Sequence, residues 1–220
     1  MGANTLKISN AVIWVAAYFG IMLFYTFLNV TVWRKTFPKC SEWINLAVIV
    51  MCVVGFICLL KSRYEINLLS NVTPMGILLS VLCSVLFFLL LDKCLDPIFE
   101  SVFPQSEQDY QETIQSLMKS PVTSLLQVCI VAPIIEEILM RGFVLGGLKN
   151  TYGVIGALFI SALFFALLHF NMLQTLSAFV CGIILGLLYI KTDSIPCCII
   201  AHCGYNFISY FAMIYPHIKK

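Results

Sequence analysis

Charge is what this chain has least of: Lys, Arg, Asp and Glu together make up 11% of its 220 residues, and histidine occurs three times. So few ionisable groups exclude an ordinary soluble domain, in which about a quarter of residues are charged. The net charge of +2 is small and its cations are scattered, so there is none of the basic stripe that a nucleic-acid footprint requires. The sequence has no Gly-rich phosphate loop, no Cys-x-x-Cys pair, no internal repeat and no low-complexity tract. Its ten cysteines are dispersed, many within apolar runs, as at Cys52, Cys58, Cys83, Cys129 and Cys181. That is the pattern of small buried hydrophobes, not of a disulfide ladder, and the adjacent Cys197 and Cys198 do not suit a metal clamp.

What is present is apolar: 60% of residues are hydrophobic and the mean hydropathy is +0.96. Runs long enough to cross roughly 30 Å of hydrocarbon occur about seven times. They lie near residues 11–30, 44–60, 75–91, 121–148, 152–170, 173–190 and 195–215. No alternating barrel pattern accompanies them, and an open sheet leaves its edges unsatisfied in lipid. The expectation is an all-α, multi-pass transmembrane helical bundle. Its first run is too long for a signal-peptide core and lacks a small-residue cleavage site, so it reads as a retained span. Trp33 and Trp43 bracket a short polar loop at an interface. Loop cations favour a cytoplasmic side for Arg34, Lys35, Lys39, Lys93 and Lys119, an assignment that a one-span error reverses.

Polarity divides the chain into an N-terminal three-helix part over 1–92, a polar connector over 93–120 and a four-helix part over 121–220. Within the connector, Ser106 with Asp109 resembles a helix start. Tyr110, Ile114, Leu117 and Met118 then share one face, opposite Gln111, Glu112 and Gln115. This predicts a short amphipathic helix in the headgroup plane.

Against that background Glu136, Glu137 and Arg141 stand inside an apolar run, where a central charge costs about 3 kcal/mol. Glu137 and Arg141 are four apart and face each other as an ion pair. Glu136 points about 100° away around the helix and lacks a counter-charge from its own segment. An acid so placed suits proton abstraction from water. The plainer reading is an ion-pair network that ties helices together, and two acids with a base in six residues weigh against it. His169 and His202 lie in or at the edge of two other apolar runs, with Phe165 one turn before the first and Asn206 one turn after the second. A solitary membrane histidine is ordinarily an interhelical hydrogen-bonder, but two with an acidic pair and a facing amide make a constellation. Their depths along the spans differ by up to about 14 Å, a gap that tilt and a bend at Pro133 absorb. Gly142 with Gly146, and Gly182 with Gly186, have the spacing of close helix contacts. His217, near the end, reads as an interfacial residue.

Glu136-Glu137-Ile138-Leu139-Met140-Arg141, then Phe165 to His169, then His202 to Asn206, resemble the three ordered motifs of the CAAX-protease and bacteriocin-processing (Abi) family of intramembrane endopeptidases. The resemblance covers residues 121–215. It implies an active site buried between the C-terminal four helices. There Glu136 and His169 activate a water, His202 and Asn206 polarise the scissile carbonyl, and Glu137, Arg141 and Phe165 support them. It further implies a peptide or protein substrate at the membrane, prenylated or leader-bearing, the lipid bilayer as surroundings, and a multi-pass place in a bacterial cell membrane. No cofactor is expected to be obligatory. Zinc stays open, with Glu136, His169 and His202 as its ligands if it is used. Two other classes also stay open: a non-catalytic scaffold or bacteriocin self-immunity protein that binds a partner in the same cleft, and a transporter with a midplane proton relay.

Overall fold

A computed structural model describes residues 6–69 and 71–218, with side chains described as far as Met213. The side chain of His217 therefore lies outside the described residues. The regular structure of the described residues is all helical, and five helices are long and apolar enough to cross a membrane. These are α1 (Ile8–Thr36), α2 (Ser41–Arg63), α3 (Pro74–Val102), α7 (Met172–Thr192) and α8 (Ile195–Ile218, apolar through Met213). Between α3 and α7 lie α4 (Pro104–Met118), α5 (residues 121–152) and α6 (residues 153–167).

Local sequence accounts for several of these boundaries. Thr73 caps α3 by accepting the Gly76 N–H at 3.0 Å, and Pro74 takes the first helical position, where its missing N–H costs nothing. Asn171 caps α7 by accepting the N–H groups of Leu173 and Gln174 at 3.0 and 3.3 Å. The boundary between α5 and α6 falls at Gly153, whose φ of 75° is open to glycine alone at low cost. The fourth and fifth expected runs are thus two arms about one corner, with Lys149 and Tyr152 inside the first arm. α3 does not end where hydropathy falls at Asp92: it continues through Lys93 to Val102 in a wide π turn spanning Phe88–Leu95. Ser106 is likewise not a helix start, because Pro104 begins α4 two residues earlier. The amphipathic pattern of α4 is as expected, with Ile114 buried, Tyr110, Leu117 and Met118 half-buried, and Gln111, Glu112 and Gln115 exposed.

Burial is inverted relative to hydropathy. α1, α2 and α3 present large apolar side chains outward, among them Phe24, Phe27, Met51 and Leu82. The charged stretch of α5 is the best-buried part of the molecule, with Arg141 and Glu137 both at 0% exposure. The N-terminal helices seat on α5 through Phe143, which meets Tyr64 at 4.7 Å and Trp14 at 6.3 Å between ring centroids. α3 and α8 approach closely because their contact is made of small residues: Ser84 donates to the Ala201 carbonyl at 2.9 Å, beside Gly204.

The glycine spacing in α7 serves the same purpose. A Cβ on Gly182 would lie 3.0 Å from the Ala162 Cα and 3.1 Å from its Cβ, so α6 and α7 touch nearly backbone to backbone. Gly182→Ala is expected to lower stability by about 1–3 kcal/mol through overpacking, read as a fall in thermal midpoint in detergent. Gly20→Ala, with nothing within 4 Å of the added carbon, is the control expected to leave the midpoint unchanged or slightly raised.

Candidate active site

The site begins with a proline. Pro133 has no N–H to give a carbonyl one turn back, and α5 accommodates it with a π turn over Gln127–Val131. Val128, in that wide turn, gives its carbonyl to Asn206 of α8, whose Nδ2 donates to it at 2.9 Å. The irregularity in α5 therefore fixes a side chain on another helix. A second π segment, Ile138–Leu145, follows Glu137 directly.

Between the two wide segments the acidic pair divides as its spacing predicts. Glu137 turns into the core, where its Oε1 accepts from Arg141 Nη1 at 2.9 Å and from His202 Nδ1 at 2.9 Å. Arg141 also donates to the Gly182 carbonyl at 3.1 Å and lies over the Phe165 ring, 4.8 Å from its centroid. Glu136 turns the other way, into a cavity, with its Oε2 3.9 Å from His202 Nε2. A carboxylate accepts, so the Nδ1–H of His202 is committed to Glu137 and Nε2 faces Glu136. Phe165 sets its ring edge-on to both imidazoles, at 5.3 Å from His169 and 5.6 Å from His202.

His169 lies just beyond the end of α6. Its Nδ1–H donates to the Phe165 carbonyl at 3.0 Å, and its own carbonyl accepts from Thr175 at 2.7 Å. With Nδ1 so committed, the Nε2 lone pair is its remaining polar function. Glu136, His169, His202, Asn206 and Phe165 all line one cavity of about 360 Å³, while Glu137 and Arg141 stand behind the wall. The conditional zinc set fits less well. Among the described residues no three His, Cys, Asp or Glu side chains are grouped to hold a metal ion, so Glu136, His169 and His202 share a cavity without forming a ready ligand triad.

Three walls of the cavity were not read from the sequence. α1 contributes Tyr18 and Tyr25, α2 contributes Ile49 and Val53, and α4 contributes Tyr110 and Thr113. The N-terminal part thus closes a space whose polar groups come from the C-terminal part. The signal available was the presence of two tyrosines seven apart on one face of an apolar run. Asp96 lines the cavity and accepts from Ser177, and Asp92 accepts from Tyr205 at 2.9 Å, so these two acids at the end of α3 face inward. On α4, outside the spans, burial and then the charge of Asp92 push the Tyr110 phenol well up, which keeps it a neutral hydroxyl.

One comparison matches this chain. A family model described as Rce1-like, a type II CAAX prenyl endopeptidase, matches residues 118–208, a segment that contains each of the motif residues above. No curated protein and no solved structure matches.

Proposed function

We propose that this chain, whose residues 118–208 match the Rce1-like type II CAAX prenyl endopeptidase family, hydrolyses a peptide bond of a membrane-associated substrate with a water held between Glu136 and His169. The observation that carries this reading is the division of labour in the acidic pair. Glu137 is consumed by Arg141 and His202, and Glu136 is left facing the cavity and an imidazole. In the proposed step the carboxylate of Glu136 takes one proton of a water, whose other O–H donates to the Nε2 lone pair of His169, as the water oxygen bonds to the scissile carbonyl carbon. Asn206 and His202 then stabilise the tetrahedral oxyanion, and the proton passes to the departing amine as the C–N bond breaks. With Nδ1–H on Glu137, donation from His202 Nε2 needs the imidazolium form. Two carboxylates then balance Arg141 and His202 within one buried cluster, which is the condition for keeping four ionised groups out of water.

The test uses purified protein in lipid nanodiscs with three peptides: one ending in a farnesylated CAAX sequence, its unprenylated counterpart and a bacteriocin-type leader peptide. Each is incubated with and without a chelator, and products are mapped by mass spectrometry. We expect one internal cut, unaffected by the chelator and absent from Glu136→Ala protein. Loss of cutting with chelator and its return with zinc would overturn the metal-free step. A cellular effect that survives Glu136→Ala would point to a scaffold.

A further inference from the structure

A second cavity adjoins the first on its polar side. About 480 Å³ in volume, it lies where the C-terminal end of α1 and the N-terminal end of α2 meet the junction of α4 and α5. Tyr25, Leu117 and Gln127 line both cavities, so the two spaces share a wall. Asn29 and Asn45 line this annexe from α1 and α2, each at 6% exposure, and the Oδ1 of each is buried with no hydrogen-bond partner. A buried amide oxygen left unpaired costs about 1–3 kcal/mol, so two at the walls of one space call for a ligand that completes them.

The chemistry of the walls selects the ligand. Asn29 offers its Oδ1, its Nδ2 already donating to Glu42 at 3.5 Å, while Asn45 and Gln127 each carry an acceptor beside a donor, the complement of a peptide unit. The neighbouring hydroxyls of Ser41, Thr123 and Ser124 already donate to the carbonyls of Pro38, Ser120 and Leu117. Cationic charge is weak here: Arg34 is paired with Glu42 at 3.0 Å, and Lys119 stands exposed at the rim. A headgroup phosphate would find few donors of positive charge. A neutral, extended main chain finds amides.

We infer that the annexe is a peptide-binding subsite in which Asn29, Asn45 and Gln127 hold the main chain of the substrate on one side of the scissile bond. This deepens the hydrolytic reading and rests on it. An extended segment packed between helices gives up the water on its N–H and C=O groups. A substrate strand led past Tyr25 into the cavity of Glu136 needs such partners.

The experiment measures binding of a fluorophore-labelled farnesylated CAAX peptide by anisotropy, in the Glu136→Gln background so that nothing is cut. Asn45→Leu and Asn29→Leu keep the branched shape and heavy-atom count of the side chain and suit apolar helices. Each is expected to weaken binding about tenfold without lowering the thermal midpoint. A depsipeptide with an ester in place of the amide next to the scissile bond is expected to bind about tenfold more weakly to the parent, with little further loss in Asn45→Leu. Equal binding of peptide and depsipeptide to all variants would overturn the subsite. So would an effect of Asn45→Leu confined to nanodiscs containing anionic phosphatidylglycerol, which would assign the annexe to a lipid headgroup. Failure of the peptide to bind at all would also overturn it. The two readings separate cleanly: peptide held through Asn45 but never cut by wild-type protein sinks hydrolysis alone. Normal cutting with unchanged KM in Asn45→Leu sinks the subsite alone.

Discussion

Replacing Glu136 by glutamine is expected to lower kcat by about 10³–10⁴-fold while leaving the fold and peptide affinity intact. The substitution is nearly isosteric, and the carboxylate it removes has no ion pair with Arg141 to lose, since that pair belongs to Glu137. Glu136 is 9% exposed and its Oε2 sits 3.9 Å from His202 Nε2, beyond hydrogen-bond reach, so an amide of the same shape fits while Glu137 keeps its bonds to Arg141 and His202. Its loss should therefore appear in kcat and not in the thermal midpoint. Single-turnover cleavage of a labelled peptide beside a melting curve decides this. A variant that is inactive because it is unfolded would assign Glu136 a structural role.

Arg141→Met should do the opposite, acting first on stability. The guanidinium bridges the Glu137 carboxylate at 2.9 Å and the Gly182 carbonyl at 3.1 Å, with 0% of the side chain exposed. Methionine fills much of the volume and cancels none of the charge. Glu137 would be left ionised beside Glu136 in a dry core, a loss on the order of 3–5 kcal/mol. The double variant Glu137→Leu/Arg141→Met removes both charges and is expected to recover most of that midpoint while remaining poorly active, since His202 Nδ1 loses its anchor. If the double variant proved as unstable as the single one, the destabilisation would come from packing against Phe165 rather than from the stranded charge.

Much of the geometry of the buried polar cluster was legible because the membrane makes polar groups conspicuous. Glu137 and Arg141 pair as their spacing requires, Glu136 faces elsewhere, and Phe165 lies one turn from His169 as an edge-on neighbour. The glycines at 182 and 186 mark a real close approach, since a Cβ at Gly182 would collide with Ala162. What escaped was whatever depends on which helix stands opposite which. Hydropathy reports partitioning into lipid and not the identity of a neighbour, so Tyr18 and Tyr25 looked like span residues until α1 was seen to wall the cavity. Asp92 and Asp96 read as the polar end of a span, whereas Tyr205 and Ser177 draw both inward. The corner at Gly153 was hidden because a glycine in an apolar run signals close packing as readily as a turn. The annexe was invisible for a related reason: Asn29 and Asn45 each look incidental alone and become a pair only when α1 and α2 are side by side.

The most direct test follows the intact mass of the protein and of its products while a peptide is cleaved in H₂¹⁸O. Direct attack by a Glu136-activated water predicts one ¹⁸O at the new carboxyl terminus, an unmodified protein mass throughout, and no product from Glu136→Gln. A transient protein adduct carrying the acyl fragment, as a thioester on the neighbouring Cys203 would give, or undiminished cleavage by Glu136→Gln, would contradict it.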